Sequence, residues 1–513
     1  MREMNELNLK RRKPLASDIF LVLLMLMLYS PFAAITSMSG MVGDTLIQIK
    51  IGLDDLKLGT LITDEIYSWH DGLTFTAHES GWYLLLGLMY KAFDLWGVIA
   101  VGTIFTYLAG FTALSFMKHT AHPLICAAVI AITPFLGGFP DYNVRPSVTS
   151  TFAFALTTVV LLSEDHPLRK APVIASTAFA LGWLHGGILP LYFVLVAVFL
   201  VIELIYKRFK DAKFIACGMI VGFVLSLLNP VGISVWTFGL KQQSANDIWA
   251  YVDEWKPMEF SIIQLVVILL VFVGFMCKDR IRKFERNAII KLALLCMFFI
   301  ASCIYKRFIL YYSMMFLMFA PESIEGLLIW LKGNLFPKHE FKKLNLSDFF
   351  YKLLSGVCAL MLVGVGIINT GNYLPTGSIS DIENMAAYDH EVIDFIKEQG
   401  YTKLYNSFNT GSWLLFNDIK VHIDNRIDPY MQEYSGVDHI RGKMSVSTLS
   451  DLDRFRGEYD NDAFLIETSA GYSDLIYEIE TYAPDRYTVV YDNTVSSSID
   501  GLQDIRWLVI ECN

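Results

Sequence analysis

Charged side chains stand where apolar stretches of this chain end, and their types suit chemistry on a phosphate-linked group. Asp44 directly follows the first apolar stretch, and Arg145 stands in the sequence VRPS between two others. A carboxylate beside hydrocarbon is costly unless it is paired or functional, and it can act as a general base toward a hydroxyl. Arginine binds phosphate through paired hydrogen bonds. The two residues predict group transfer from a lipid-phosphate donor, and lipid binding without turnover remains an open alternative.

Other candidate residues lie near the same ends of the apolar stretches as Asp44. They are Asp64, His78, Glu79, His185, Glu254, Trp255, Lys306 and Arg307. Lys306 and Arg307 can neutralise a donor phosphate, as Arg145 can. His185 lies in the sequence WLHGG, where two roles remain open: a role in a pocket, or simple packing or bonding to a backbone carbonyl.

The composition predicts a protein that spans a membrane several times. Of the 513 residues, 54% are hydrophobic and only 18% are charged, and the mean hydropathy is +0.44. Soluble proteins carry about 45–50% apolar and about 25% charged residues, and the excess of apolar residues here excludes a disordered chain and a secreted disulfide scaffold. The cysteines show no CxxC or Cys/His spacing that indicates zinc, and no basic face indicates nucleic-acid binding.

Eleven apolar stretches approach the roughly 20 residues that cross a bilayer as a helix. They cover residues 18–38, 97–116, 122–139, 146–163, 171–188, 190–206, 213–235, 261–277, 287–304, 309–331 and 350–369. Lysine and arginine favour cytoplasmic loops. If the run 81–95 does not cross, 21 lysines and arginines lie inside and about seven lie in the outer loops. We therefore expect 81–95 to lie along the outer surface, in a first outer loop over 39–96, with the N-terminus in the cytoplasm.

The sequence thus predicts an all-α polytopic membrane domain over residues 1–369 and an extracytoplasmic α/β domain over residues 370–513. The second part carries 25 acidic and 10 basic residues, a net charge of −15. A helix is expected over Asp389–Glu398, ending at Gly400. β-Branched and aromatic residues predict strands at Lys403–Ser407, Val421–Asp424, Ala463–Glu467, Tyr487–Tyr491 and Arg506–Ile510.

One charged motif in the C-terminal domain alternates along a predicted strand. In the sequence IDNRID, the residues Asp424, Arg426 and Asp428 are two positions apart, which places them on one face of a strand. Two roles remain open for this row. Asp424 and Arg426 can contact an acceptor glycan, or the row can be a set of exposed ion pairs.

The order of these motifs resembles the GT-C superfamily of polyprenyl-phosphate-dependent glycosyltransferases, and more narrowly a bacterial multi-span branch of it. The matching stretches are Asp44 with QIKIG, ITDEIYSW with Asp64, HES with His78 and Glu79, VRPS with Arg145, WLHGG with His185, LNPVG, DEW with Glu254 and Trp255, and NSFNTGSWLLF followed by VHIDNRIDPY. The likeness covers most of the chain. The sequence QIK stands where a histidine-bearing turn is expected, so a histidine role near Lys50 is unsupported.

The resemblance implies roles for the residues of the first outer loop. Asp44 is the first-loop acid, as a base or as a partner of donor and acceptor, and Asp64, His78 and Glu79 shape the same pocket. Asp44, Asp64 and Glu79 are therefore the predicted catalytic residues. A Mg²⁺ or Mn²⁺ ion on Asp44, Asp64, His78 and Glu79 is one possibility, although GT-C enzymes with monophosphate donors often work without metal.

The function expected from residues and resemblance together is sugar transfer from a polyprenyl-phosphate carrier in a bacterial inner membrane. The acceptor is an extracytoplasmic glycan, lipid or protein, and Arg145, Lys306 and Arg307 bind the donor phosphate. Two alternatives stay open: a transporter or flippase of a lipid-linked glycan, and a non-catalytic scaffold that binds glycan. A transporter predicts charges within the spans and often internal repeats.

Overall fold

The protein is described by a computed structural model that covers residues 15–29, 43–140, 144–164, 166–244, 252–277, 281, 283–335, 346–372, 377–469, 474–497 and 504–513. The chain divides into two compact units. The first unit comprises residues Met1–Phe32, Leu108–Pro140 and Pro257–Leu374, and the second comprises Ala33–Tyr107, Asp141–Lys256 and Pro375–Asn513. The second unit therefore joins segments from both sides of the predicted boundary at residue 370, which itself stays a prediction.

Helices make up most of the described chain. In chain order they are α1 (Ala16–Tyr29), α2 (Asp44–Leu58), α3 (Ser80–Met117), α4 (Pro123–Ile132), α5 (Ser147–Leu162), α6 (Lys170–Leu184), α7 (Leu189–Ile205), α8 (Phe209–Ser226), α9 (Ser234–Ser244), α10 (Ile262–Cys277), α11 (Arg286–Ile304), α12 (Ile309–Leu335), α13 (Asp348–Asn372), α14 (Ile379–Ala386), α15 (His390–Gln399), α16 (Gly411–Phe416), α17 (Gln432–Ser435), α18 (Leu449–Tyr459) and α19 (Asp474–Tyr482).

Four helical stretches in the described part of the chain are long and apolar enough to cross a membrane. They are Ser80–Met117, Gly186–Ile205, Arg286–Ile304 and Lys306–Leu335, and shorter apolar helices lie at Ala16–Tyr29, Pro123–Leu136, Ser147–Leu162 and Ile262–Cys277. Apolar segments of this length indicate an integral membrane protein. The count of eleven spans and the orientation of the chain stay predictions.

Helix α3 is interrupted close to the end of the predicted surface helix. Phe93 and Asp94 leave the helical region, and Asp94 has a positive φ of 50°. The break separates a first piece from Ser80 onward and a second piece that ends at Met117, which matches the predicted division between 81–95 and 97–116. How the first piece lies relative to a membrane stays a prediction.

The first unit is built from α1, α4 and α10–α13. Tyr29 of α1 donates a hydrogen bond to the Ile130 carbonyl of α4 over 3.1 Å. Between α11 and α12, the Lys291 ammonium pairs with the buried Glu322 carboxylate. An ion pair in an apolar helix bundle is tolerated because each charge compensates the other.

The second unit also contains α5–α8, and α6 and α8 approach closely. A methyl group on Gly218 would lie 2.9 Å from Ala171 Cα, and one on Gly222 would lie 3.1 Å from Ala178 Cβ. Small residues let helix backbones meet in this way. At the end of this contact, buried Lys170 pairs with Asp211 over 2.5 Å and with Glu203 over 3.4 Å.

The last stretch of the second unit, Pro375–Asn513, is called the C-terminal segment below. It contains a mixed four-stranded sheet of β1 (Leu404–Tyr405), β2 (Ala463–Ser469), β3 (Tyr487–Val495) and β4 (Ile505–Cys512). The order of the strands in the sheet is β1-β2-β4-β3. Strand β1 is parallel to β2, and the other two pairs are antiparallel. Three predicted strands are confirmed, and β1 is shorter than predicted. The predicted strand Val421–Asp424 is wrong, since there only Val421 forms an isolated bridge, with Ser68.

The helix predicted over Asp389–Glu398 is confirmed within one residue. Asp389 caps α15 by accepting a hydrogen bond from the Glu391 amide, and Gly400 ends the helix in the left-handed region at φ 71°. Both are common helix boundaries, because aspartate satisfies a free amide and glycine has no Cβ to clash.

One hydrophobic core joins the first loop to the C-terminal segment within the second unit. Buried residues of α2 and α3, such as Leu46 and Trp82, belong to the same cluster as Trp413 and Trp507. Burial of such large apolar side chains is the main stabilising force of a fold. The C-terminal segment is thereby held against the loop that carries the candidate site.

Candidate functional site

Three of the predicted residues meet in one ion cluster. Arg145 Nη2 lies 3.3 Å from Asp44 Oδ2, and Arg145 Nη1 lies 2.7 Å from Glu254 Oε2. The exposed fraction of the side chain is 36% for Arg145, 34% for Asp44 and 38% for Glu254. They come from three distant parts of the sequence, and all three are partly exposed.

A hydrogen bond joins the chain next to Asp44 to the chain next to Arg145. Asp44 is the first residue of α2, after Gly43, which provides no side-chain cap. Thr45 Oγ1 donates to the Val144 carbonyl over 3.1 Å and so ties the start of α2 to the residue before Arg145. Because an uncapped helix N-terminus carries amide donors and a positive partial charge, it favours an anion such as phosphate.

Glu254 belongs to the short 3₁₀ turn Asp253–Trp255. Trp255, predicted as a pocket residue, is buried at the end of this turn. The buried indole fixes the turn, and the carboxylate of the preceding residue is presented toward Arg145.

Helices α2 and α3 cross at two glycines, and this crossing sets the position of Glu79. A methyl group on Gly52 would lie 1.9 Å from the Tyr83 carbonyl oxygen, and one on Gly87 would lie 2.4 Å from the Gly52 carbonyl carbon. Only glycine permits so close an approach. The crossing brings Gln48, one turn beyond Asp44, next to the start of α3.

A buried polar chain follows from that crossing. Gln48 Nε2 donates to Glu79 Oε2 over 3.1 Å, and Trp82 Nε1 donates to Gln48 Oε1 over 3.0 Å. Gln48 and Asp44 share one face of α2, since residues four apart are neighbours on a helix. Glu79 is therefore part of the support of the helix that presents Asp44.

His78 connects Glu79 to two other segments. Its ring stacks on Phe238 with centroids 3.6 Å apart, Nε2 lies 3.4 Å from Glu79 Oε1, and its carbonyl accepts from the Gly186 amide over 3.0 Å. Burial opposes the charged form, but the Glu79 and Asp428 carboxylates raise the pKa of His78 above its usual value. Burial also raises the pKa of the Asp428 carboxyl group, to about 7.

Two further predicted residues, His185 and Asp64, differ in their burial. His185 is buried, and Nδ1 lies 2.9 Å from Ser150 Oγ, which favours the packing alternative for this residue. Asp64 is exposed, and within the described residues no hydrogen bond or ion pair joins its side chain to Asp44, Arg145 or Glu254.

Lys306 and Arg307 belong to the first unit, where they form the 3₁₀ turn Lys306–Phe308 before α12. The other candidate residues all belong to the second unit. The predicted role of Lys306 and Arg307 in binding the donor phosphate stays a prediction.

The predicted metal set does not form in the described part of the chain. No three His, Cys, Asp or Glu side chains among the described residues are placed to hold one ion. Asp44 faces Arg145, whereas Glu79 binds Gln48 and His78. The four residues Asp44, Asp64, His78 and Glu79 therefore do not fit a shared Mg²⁺ or Mn²⁺ in this arrangement.

The side chains of Asp424 and Arg426 are buried, so of the two roles left open, an exposed row of ion pairs does not describe this turn. Arg426 donates to Asp424 Oδ2 over 2.6 Å and binds both oxygens of Glu65 over 2.6 and 3.0 Å. Side-chain exposure is 5% for Arg426, 3% for Glu65 and 0% for Asp424. Tyr430 also donates to Asp424 over 2.6 Å. Contact with an acceptor stays a prediction, and this pairing favours a positioning role.

The stretch NSFNTGSW holds that turn, a role that the sequence did not reveal. Asn406 Nδ2 donates to the Ile423 carbonyl over 2.8 Å, and Asn406 Oδ1 accepts from the His422 amide over 2.8 Å. A methyl group on Gly411 would lie 2.1 Å from the Ile423 oxygen. The recurrence of asparagine and glycine was the available signal, because both are typical of irregular backbone.

Three histidines that were not predicted as a group meet between the first loop and the C-terminal segment. His70 Nε2 lies 3.0 Å from His422 Nδ1, and the rings of His70 and His439 stack 4.0 Å apart. His439 Nδ1 lies 3.0 Å from the Tyr459 hydroxyl. Burial, with the neighbouring charge of Lys443, lowers the pKa of all three histidines, that of His70 to about 3.

We expect the folded protein to lose stability as the pH falls from about 6.5 toward 3, because the unfolded His70 binds a proton that the folded one resists. The slope contributed by this residue is about 1.4 kcal/mol per pH unit. Thermal unfolding of wild type and His70→Phe between pH 7 and 5 measures it. His119→Phe, at an exposed position, is measured beside it, and an unchanged slope in His70→Phe would contradict the expectation.

The chain is similar in structure to the oligosaccharyltransferase of Archaeoglobus fulgidus. Against its apo form the TM-score is 0.51 at 13% identity, over 90% of this chain and 70% of that chain. The same enzyme tethered with an acceptor peptide gives 0.49 at 13% identity, over 94% and 73%. Its complex with an inhibitory peptide and a dolichol-phosphate gives 0.49 at 12% identity, over 90% and 69%.

No family model and no curated protein matches the chain. At 13% identity, the likeness to the apo oligosaccharyltransferase concerns the fold. Both the helices long enough to cross a membrane and the small C-terminal mixed sheet belong to the fold that the described chain adopts. The chain has an oligosaccharyltransferase-like fold.

Proposed function

We propose that this chain is a membrane glycosyltransferase of the GT-C type that moves a sugar from a polyprenyl-phosphate carrier to an extracytoplasmic acceptor. The observation that carries the proposal is the ion cluster of Asp44, Arg145 and Glu254, which stays partly open to solvent. The fold resemblance supports the reaction class by analogy. In this proposal the protein lies in a bacterial inner membrane, with its C-terminal segment outside the cytoplasm.

The chemistry assigns complementary roles to Asp44, the first residue of α2, and to Arg145, two residues before α5. An acceptor hydroxyl attacks the anomeric carbon, its proton passes to the Asp44 carboxylate, and the bond from the sugar to the phosphate oxygen breaks. The departing polyprenyl phosphate gains negative charge, which the Arg145 guanidinium and the N-terminus of α2 stabilise. Glu254 holds the guanidinium in place before the donor arrives.

The transporter alternative has one supporting observation, the buried pair of Lys291 and Glu322 between apolar helices. Charges inside spans often mark transport pathways. The positive charge of Lys291 and the negative charge of Glu322 compensate each other, however, so a structural role accounts for the pair equally well. A measurement of product separates the two functions, because a transporter binds or moves its lipid-linked glycan without releasing polyprenyl phosphate.

The test is release of polyprenyl phosphate from a panel of short-chain polyprenyl-phosphate sugars by the purified full chain, with water, glycan or peptide acceptors. Wild type should release it. We expect Arg145→Lys to lower kcat/KM about tenfold to a hundredfold, because lysine is a point charge and cannot form the paired contact.

The matched control is Arg486→Lys, since Arg486 is also an arginine in an ion pair, with the Asp453 carboxylate, but lies far along the sequence in the C-terminal segment. It should keep wild-type kinetics. Tight binding of the donors without release by wild type would contradict transfer and favour the transporter or scaffold.

A further inference from the structure

The turn of the C-terminal segment reaches the start of α2. A methyl group on Gly43 would lie 3.4 Å from Asn425 Nδ2 and 3.5 Å from Asn425 Cγ. Gly43 is the residue before Asp44. The side-chain amide of Asn425 is therefore a direct neighbour of the backbone that presents the proposed general base.

The orientation of this amide is set by a serine of the NSFNTGSW stretch. Ser412 Oγ donates to Asn425 Oδ1 over 2.7 Å, which occupies the acceptor end of the amide. The Nδ2 donor end is the part nearest to Gly43. Within the described residues, no hydrogen bond of Nδ2 to a protein acceptor is formed, and Asn425 is partly exposed.

The neighbours of Asn425 in sequence hold it rigidly. Asp424 and Arg426 are both buried, and their ion pairs with each other and with Glu65 fix the backbone on either side. A donor held on a rigid turn loses little freedom when it binds a ligand, so a single hydrogen bond can add to affinity.

We propose that Asn425 donates a hydrogen bond from Nδ2 to an oxygen of the lipid-phosphate-linked sugar bound beside Asp44. The inference rests on the proposed function and extends its site to the C-terminal segment. Two kinds of oxygen can accept this hydrogen bond, those of the phosphate and those of the sugar. A ligand without the sugar distinguishes them.

The experiment measures binding of two probes to the full chain, a short-chain polyprenyl phosphate and the same lipid carrying the sugar that wild type binds best. Asn425→Asp exchanges the donor for a charged acceptor without changing its size, and Asn425→Ala removes it. We expect Asn425→Ala to weaken binding about threefold to tenfold, as for the loss of one hydrogen bond, and Asn425→Asp to weaken it further by repelling phosphate.

Asn417→Asp is the matched control, because Asn417 ends α16 in the same segment and its Nδ2 donates only to the Trp413 carbonyl. It should bind both probes as wild type does. Weaker binding of both probes by the Asn425 variants assigns the contact to the phosphate, and weaker binding of the sugar-bearing probe alone assigns it to the sugar. Thermal unfolding of each variant checks that the fold is retained.

Each remaining outcome separates the two proposals. If folded Asn425→Ala and Asn425→Asp keep wild-type affinity and kcat/KM, the role of Asn425 is overturned and the proposed function stands. If wild type binds the probes and the Asn425 variants bind them less, but no transfer occurs, the contact stands and the proposed function falls. If wild type binds neither probe, both are overturned.

Discussion

Replacing Asp44 by asparagine should lower kcat for sugar transfer by a factor of about 10² to 10⁴, the usual contribution of a general base. Asparagine has the same shape and can still accept a hydrogen bond from Arg145, but it cannot take up the proton of the acceptor hydroxyl. Donor binding should change little, because the phosphate contact is assigned to Arg145 and to the helix N-terminus.

The measurement is the initial rate of polyprenyl phosphate release with saturating donor and acceptor. Asp418→Asn is the matched control, since Asp418 also pairs with a single cation, Lys50, but leaves 78% of its side chain exposed. It should transfer at the wild-type rate. A folded Asp44→Asn protein that transfers sugar at full rate would exclude Asp44 as the base.

The residues of the ion cluster could be identified from sequence, but their pairing could not. Asp44, Arg145 and Glu254 stood out because charged groups at the ends of apolar stretches are costly unless they serve a purpose. Their mutual distances depend on how α2, the chain around Arg145 and the turn before Trp255 pack together. No periodicity in the sequence encodes those contacts.

The C-terminal segment illustrates the same division between local and long-range information. The caps of α15 were predictable, because Asp389 and Gly400 act on their own neighbours. The strand expected at Val421–Asp424 failed, because Asn406 takes up the backbone groups of that stretch from a distance. Side chain–backbone hydrogen bonds of this kind compete with a sheet ladder.

The cluster of His70, His422 and His439 could not be predicted from a single sequence. His422 and His439 lie far from His70 in sequence and follow no helical or strand period. Their contact arises only when the first loop docks on the C-terminal segment. For the same reason Glu65 and Arg426, 361 residues apart, could not be paired in advance.

The second large effect is expected at Arg426, where replacement by methionine should destabilise the protein by about 3–5 kcal/mol. The guanidinium compensates two buried carboxylates, those of Glu65 and Asp424, and its removal leaves them uncompensated in a dry environment. It also stacks over the rings of Tyr67 and Phe75, each 5.0 Å from the centroid. Methionine keeps part of that packing and none of the charge.

Arg441→Met is the matched control for this change. Arg441 pairs with Glu433 and Asp438 in the same segment, but its side chain is 24% exposed. Partly solvated ion pairs contribute about 0–1 kcal/mol, so the control should unfold at nearly the wild-type temperature. The comparison separates the buried charge from a general sensitivity of the segment to loss of arginine.

Combining Arg426→Met with Glu65→Gln distinguishes loss of charge compensation from loss of packing. If the uncompensated Glu65 carboxylate causes the destabilisation, the double variant should unfold at a higher temperature than Arg426→Met alone, because one buried charge is gone. Limited proteolysis within residues 59–79 should likewise be slower in the double variant than in Arg426→Met. If the two substitutions destabilise additively, packing alone explains the effect of Arg426, and the ion pair does not hold the first loop against the turn that carries Asn425.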